Sequence, residues 1–176
     1  MNINIRQETE KDYKLSETVV EKAFKNAEYT DHKEQILVDK LRKSDVFIPE
    51  LSLVAESNKE IIGHIMLTKL FIENEDNRYK SLALAPVSVL PEYQNKGVGS
   101  KLINQSIKIA KELGFKSVIV LGHDKYYPRF GFKTASIWGI KAPFDVPDEA
   151  FMALELEDNS LDDVTGRVVY IKEFFE

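Results

Sequence analysis

Ile3 and Ile5 alternate with polar neighbours as a short strand does, and from Thr9 to Lys25 the spacing of Tyr13, Val19, Val20, Ala23 and Phe24 turns helical. Thr9, three residues ahead of Asp12, is a candidate N-cap. A second short helix is predicted over Lys33 to Lys43, where Ile36, Leu37 and Leu41 share a side, and Pro49 closes the connection. Leu51 to Glu56 and Glu60 to Ile72 are β-rich runs separated by Ser57, Asn58 and Lys59, a hairpin pattern, with Ile61, Ile65, Leu67 and Phe71 expected on one face.

The polar stretch Glu73 to Lys80 reads as a solvated turn, followed by a strand from Ser81 to Leu90 that Pro86 interrupts. Proline cannot donate to a ladder, so Pro86 points to a bulge or to a strand parting from its neighbour. From Gly97 to Leu113, the residues Val98, Leu102, Ile103, Ile107, Ala110 and Leu113 make a buried helical stripe that Gly114 ends. Ser117 to Leu121 is a near-continuous apolar strand of the type buried on both faces. Asp124 to Phe130 reads as a helical turn ending at Gly131, and Ala150 to Leu156 and Arg167 to Phe174 as closing strands.

With 176 residues and no repeat or linker, the chain is expected to form a single domain over 1–176. Its net charge of -5 argues against a nucleic-acid partner recognised through phosphate neutralisation. The absence of cysteine excludes disulfides, thiolate metal sites and a cysteine acyl-enzyme. No apolar run approaches the ~20 residues of a membrane span, and the N-terminus lacks a signal-peptide core, so a cytoplasmic location without membrane contact is expected.

Candidate chemistry concentrates in Gln94, Asn95, Lys96, Gly97, Val98 and Gly99, between an apolar strand and a periodic helix. A strand, a Gly-containing bend and a helix start leave backbone N–H groups unpaired beside the positive end of the helix dipole, a setting for phosphate or pyrophosphate. The dinucleotide fingerprint requires Gly or Ala where Leu102 stands, and the P-loop requires Lys directly before Ser or Thr, whereas Ser100 precedes Lys101. The remaining pattern, Gln/Arg-x-x-Gly-x-Gly/Ala, is met by Gln94, Gly97 and Gly99.

With Val87, Ser88 and Val89 ahead of it, the Leu90-Pro91-Glu92-Tyr93 lead-in, and the later Tyr126 to Phe132 segment, this pattern resembles the acyl-CoA site of the GNAT (GCN5-related N-acetyltransferase) superfamily. The resemblance covers nearly the whole chain, and the Phe144 to Leu156 and Gly166 to Phe174 stretches are most similar to a bacterial YhbS-type subgroup. It implies an α/β (α+β) fold with a mixed, mostly antiparallel sheet flanked by helices and splayed between the fourth and fifth strands. It also implies acetyl-CoA as co-substrate and no metal. The pyrophosphate is expected on the N–H groups of Asn95, Lys96, Gly97, Val98, Gly99 and Ser100, and the pantetheine arm on the backbone of Val87, Ser88 and Val89. Gln94 and Lys96 side chains either add polar contacts or are solvated bend residues.

Attack of an amine on a thioester requires an N–H donor for the oxyanion, a proton for the departing sulfur and a route for the amine's proton. The resemblance implies that the backbone of Val89 or its neighbour is the donor and that Tyr127, four residues before Gly131, is the general acid. A phenol of ordinary pKa ~10 stays protonated at neutral pH; the alternative is that Tyr127 only packs against Phe130 or orients the thioester. His123 is the candidate base, with a structural hydrogen bond at the strand end as its alternative, and Glu56, His64, Glu92 and Asp124 are further candidates.

The acceptor is expected between about Ala27 and His32 and between Ile137 and Glu149, where Glu28, Asp31, Asp145, Asp148 and Glu149 suit a cationic amine and Trp138 is a pocket wall or core. The resulting expectation is an N-acetyltransferase that transfers directly, in a ternary complex, to a small-molecule or protein amine. A homodimer is compatible with it. The rival reading is a non-catalytic CoA or acyl-CoA-binding module, a sensor or scaffold.

Overall fold

The computed structural model describes residues 1–27 and 30–176 and shows nine strands and three α-helices among them. The chain divides into two compact units, residues 1–68 with 85–109, and residues 69–84 with 110–176. Among the described residues no helix is long and apolar enough to cross a membrane.

In the first unit, β1 (Asn4–Gln7) leads through a 3-10 turn at Glu10–Asp12 into α1 (Tyr13–Phe24), followed by α2 (Glu34–Arg42). Thr9 does cap the entry, and the Asp12 carboxylate accepts its N–H at 2.8 Å. β2 (Ser52–Ser57) pairs antiparallel with β1 and with β3 (Glu60–Glu73). The β2–β3 hairpin turns on Asn58 and Lys59, both at positive φ, as a tight primed turn requires. The expected common face of Ile61 and Ile65 is broken. Ala55 lies opposite Gly63 but Glu56 opposite Ile61, so a bulge at Ile62 sends Ile61 to the other side from Ile65 and Leu67.

The same unit buries an ionic network. Arg42 on α2 grips Glu8 with two hydrogen bonds, 3.2 and 2.7 Å, and reaches Glu17 of α1 at 2.8 Å while lying over the Tyr13 ring. Ser52 Oγ donates to Glu8 at 2.8 Å, and His64 Nε2 stands 3.5 Å away. Burial alone would raise the Glu8 pKa, but His64, Arg42 and Ser16 outweigh it and bring it down to about 2. Charges thereby fasten α2 to α1 and to the segment after β1, and the Ser52 hydroxyl ties Glu8 to β2.

β4 (Arg78–Val89) contributes Ala85 to Val89 to this unit, and α3 (Val98–Glu112) contributes its residues through Ile109. Val98, Leu102 and Ile103 are buried as the periodicity predicts. Leu113 is exposed instead, because the helix has already ended at Glu112 and Gly114 follows at φ +89°.

The second unit takes β3 from Lys69 and β4 up to Leu84, and adds β5 (Ser117–Leu121), β6 (Lys133–Thr134), β7 (Ile140–Lys141), β8 (Phe151–Glu155) and β9 (Gly166–Val169). β8 pairs antiparallel with β5 and β6, β9 antiparallel with β3 and parallel with β7, and β4 parallel with β5. The strand set is mixed and mostly antiparallel, as expected. The β4–β5 register rests on one pair, Ala83 with Ile119, three residues before Pro86.

Two expectations change here. The solvated turn at 73–80 shrinks to Asn74–Asn77, because the Asn74 side chain accepts the N–H groups of Asp76 and Asn77 and lets both strands extend to it. The last strand, expected to reach Phe174, stops at Val169 and gives way to a 3-10 turn at Lys172–Phe175. Leu70, Ile72, Ala83, Ile119, Ala153 and Val168 form its buried core.

Candidate active site

β4 ends at Val89, and Leu90 to Gly97 carries the chain to α3. The Leu90 N–H donates to Ile62 O at 2.9 Å, which fixes this end of β4 against β3. Alternation along the strand then turns the N–H groups of Val87 and Val89 away from β3. Ser88 is buried, and its Oγ has no partner among the described residues.

Past the 3-10 turn Pro91–Tyr93, the bend uses two left-handed residues, Asn95 at φ +62° and Gly97 at φ +83°. A Cβ on Gly97 would meet nothing within 4 Å, so glycine serves its backbone angle and leaves the surface over the bend open. The first helical hydrogen bond is Lys101 N–H to Gly97 O, 3.1 Å. Among the described residues the N–H groups of Asn95, Lys96, Gly97, Val98, Gly99 and Ser100 make no backbone hydrogen bond ahead of it. Such a row of donors at the positive end of a fifteen-residue helix fits a diphosphate.

Gln94 is tied inward, its amide donating to Val89 O at 3.1 Å, and so braces the bend against the strand end. Lys96 is exposed, with its ammonium 5.8 Å from the Tyr93 ring. Sequence reading missed Gly63. A Cβ there would stand 3.0 Å from Leu102, 3.1 Å from Val98 and 3.2 Å from Ser88 O, so this glycine lets the start of α3 close onto β3 and β4. A glycine inside a strand is the signal that marks such an approach.

In the second unit, Tyr127 opens the 3-10 turn Tyr127–Phe130, which Gly131 ends in the left-handed region. Its ring is 8% exposed and set edge-on to Tyr126 at 5.2 Å and Phe132 at 5.6 Å between centroids. Burial, with a smaller contribution from Tyr126, pushes the phenol pKa up, so the group stays protonated through the neutral and alkaline range.

His123 has an exposed side chain, and its backbone oxygen accepts the N–H groups of Tyr126 and Tyr127. Its structural hydrogen bonds are therefore those of the main chain. Of the other candidate bases, Glu56 sits 3.3 Å from Arg6, Glu92 and Asp124 are exposed, and His64 is fully buried beside Glu8. Among the acceptor candidates, Glu28 lies outside the described residues. Asp31 accepts the Lys33 N–H, Asp148 accepts the Ser136 hydroxyl at 2.9 Å, Asp145 and Glu149 are exposed, and Trp138 packs against the second unit's core. Among the described residues no group of three or more His, Asp or Glu side chains could hold a metal ion.

The family model described as "Acetyltransferase (GNAT) family" matches residues 11–132, more than half of the chain. The chain is 40% identical over 118 residues to the uncharacterized N-acetyltransferase YjhQ of Escherichia coli K12, covering 66% of this chain and 65% of that protein, a little under two thirds. It is 30% identical over 139 residues to the uncharacterized N-acetyltransferase YhbS of the same strain, covering 78% and 81%. The crystal structure of Escherichia coli YhbS in complex with CoA has the same fold, with a TM-score of 0.89 over 100% of this chain and 93% of that one at 24% identity. A GNAT family acetyltransferase from Brucella melitensis, solved in complex with acetyl-CoA, matches with a TM-score of 0.80 and 32% identity over 98% of each chain. With the strand, bend, helix and tyrosine segment in the predicted order, the chain belongs to the acetyltransferase (GNAT) family.

Proposed function

We propose that this chain works as one N-acetyltransferase domain that passes the acetyl group of acetyl-CoA directly to a primary amine of a small molecule or protein. The observation that carries this reading is the open row of N–H groups from Asn95 to Ser100, a cradle whose backbone angles depend on Asn95 and Gly97. In this reading the row holds the pyrophosphate, and the outward N–H and C=O groups of Val87 pair with the pantetheine arm, which leaves the Val89 N–H to face the thioester. Ser88 lies between Val87 and Val89, with a buried hydroxyl that has no partner among the described residues.

When bound, acetyl-CoA supplies an activated acyl group and a thiolate leaving group. The chain supplies the rest. The Val89 N–H stabilises the oxyanion, and Tyr127, kept protonated by its buried surroundings, gives its proton to the leaving sulfur. His123, exposed and free of side-chain hydrogen bonds among the described residues, takes the amine's proton directly or through water. With no cysteine in the chain, transfer proceeds in a ternary complex rather than through a cysteine acyl-enzyme. The N-acetyltransferase relatives, and the CoA and acetyl-CoA complexes of the two similar structures, support the choice of donor. A cytoplasmic location accords with the sequence, and the chain can act as a monomer or a homodimer.

The test is calorimetric titration with acetyl-CoA, CoA and ATP, followed by free-thiol release across a panel of primary amines. Binding of both CoA species with thiol release on at least one amine is expected. Binding without release across a broad panel would replace the enzyme by a CoA-binding module, and binding of ATP alone would defeat the donor assignment.

A further inference from the structure

Gly122 follows the last residue of β5, and its N–H donates to Ala150 O at 2.9 Å, one step beyond the Leu121–Phe151 pair. The backbone at this point is therefore held by the β5–β8 ladder. Five residues later the chain has curled back, and the Tyr127 ring lies on Gly122. A Cβ at position 122 would stand 2.4 Å from Tyr127 Cε2, 3.0 Å from Cδ2 and 3.3 Å from Cζ. Carbon atoms in contact normally keep about 3.5–4.0 Å, so any side chain at 122 drives the ring off its place by about 1 Å or more.

Tyr126, Phe132 and Phe130 also stand around the ring, at 5.2, 5.6 and 6.5 Å between centroids. These neighbours are aromatic and hold the ring by its edges and faces. Orientation of the phenol thus falls to the shape of its seat. We infer that Gly122 is a positioning residue for Tyr127: its bare backbone is the flat floor that sets where the phenolic oxygen stands. The inference rests on the general-acid reading of Tyr127 given above. It accounts for a glycine between Leu121 and His123 by the room it leaves, since no left-handed backbone angle is involved there.

The experiment uses the full chain, acetyl-CoA and whichever panel amine the wild-type protein acetylates fastest. A reacting group displaced by about 1 Å loses on the order of 100-fold in rate. Gly122→Ala is expected to lower kcat by about that factor while the Kd for acetyl-CoA stays within about two-fold. In a Tyr127→Phe background the same substitution is expected to cost under about three-fold, because the group it would misplace is gone. In thermal unfolding, Gly122→Ala is expected to lower Tm in the wild type but not in a Tyr127→Ala background, where the ring has been removed.

Wild-type turnover with an unaltered Gly122→Ala kcat, or equal losses in both backgrounds, would overturn the seat alone. No thiol release from the wild type with any amine would defeat the acetyltransferase reading and the role of Gly122 with it. If Gly122→Ala does not fold, recovery of folding in Gly122→Ala/Tyr127→Ala supports the seat, and failure of both overturns it.

Discussion

The two units handle polarity in opposite ways. The first, residues 1–68 and 85–109, buries Glu8, Asp12 and His64 and closes the Arg42 guanidinium over Glu8. Among the described residues the buried polar side chains of the second are Ser81 and Ser117, whose hydroxyls bond each other at 2.7 Å. Fixed charge fastens the helices of the first unit and leaves its Asn95–Ser100 amides to attract an anion. Burial of Tyr127 in the second keeps a phenol neutral. Under the proposed function, the difference would separate two demands of thioester chemistry: holding a polyanion, which favours dipoles and donors, and keeping a proton on a weak acid, which favours apolar surroundings.

The sharpest way to break this contrast is to remove a buried charge. Arg42→Met leaves Glu8 buried without its guanidinium partner, and a loss of about 3–5 kcal/mol in unfolding free energy is expected in urea titrations. An exposed pair such as Lys43 with Asp39 contributes under about 1 kcal/mol by the same measurement, so Lys43→Ala serves as the control. The acid side gives the sign. Glu8 falls from an ordinary 4.5 to about 2 on folding, so its contribution is complete above pH 4.5 and disappears as pH drops toward 2. Wild-type stability should decline in that window, and Arg42→Met should flatten the decline.

The second unit makes the complementary prediction. Tyr127→Phe removes one oxygen from an apolar seat and should lower turnover at least about ten-fold while acetyl-CoA affinity and Tm hold. Because burial raises the phenol's pKa, the wild-type rate should climb with pH as the amine deprotonates and show no fall from loss of the Tyr127 proton near pH 10. Thiol release followed from pH 6 to 10 checks both statements. Unchanged turnover in Tyr127→Phe would leave the tyrosine as a packing residue.

Gly97→Ala is the smallest of the three effects. At φ +83° a Cβ strains the backbone by about 1–2 kcal/mol without touching anything within 4 Å. Acetyl-CoA affinity should fall several-fold, with kcat at saturation little altered, as calorimetry and initial rates would report.

Much of this was readable from sequence because local rules and tertiary structure agree. The α3 stripe, the Asn58–Lys59 hairpin and the Gly131 stop each depend on residues close together in the chain. The Gln94 to Gly99 segment was legible for the same reason, being a strand end, a left-handed bend and a helix start in order. What escaped depends on partners far apart. Glu8, Arg42, Ser52 and His64 form one network across 56 positions, and none of them advertises its burial in its own neighbourhood. The bulge that turns Ile61 over exists only in the register of β2 against β3. Gly63 and Gly122 were visible as glycines, but their function lies in what packs onto them, Val98 and Leu102 in one case and Tyr127 in the other.

The central claim is that backbone amides of the first unit hold the diphosphate, and amide-resolved NMR tests it most directly. In ¹H–¹⁵N spectra titrated with CoA, the resonances of Asn95, Lys96, Gly97, Val98, Gly99 and Ser100 should shift most, and the same resonances should stay in place on titration with pantetheine, which lacks the diphosphate. Binding of CoA with those six amides unmoved would contradict the account.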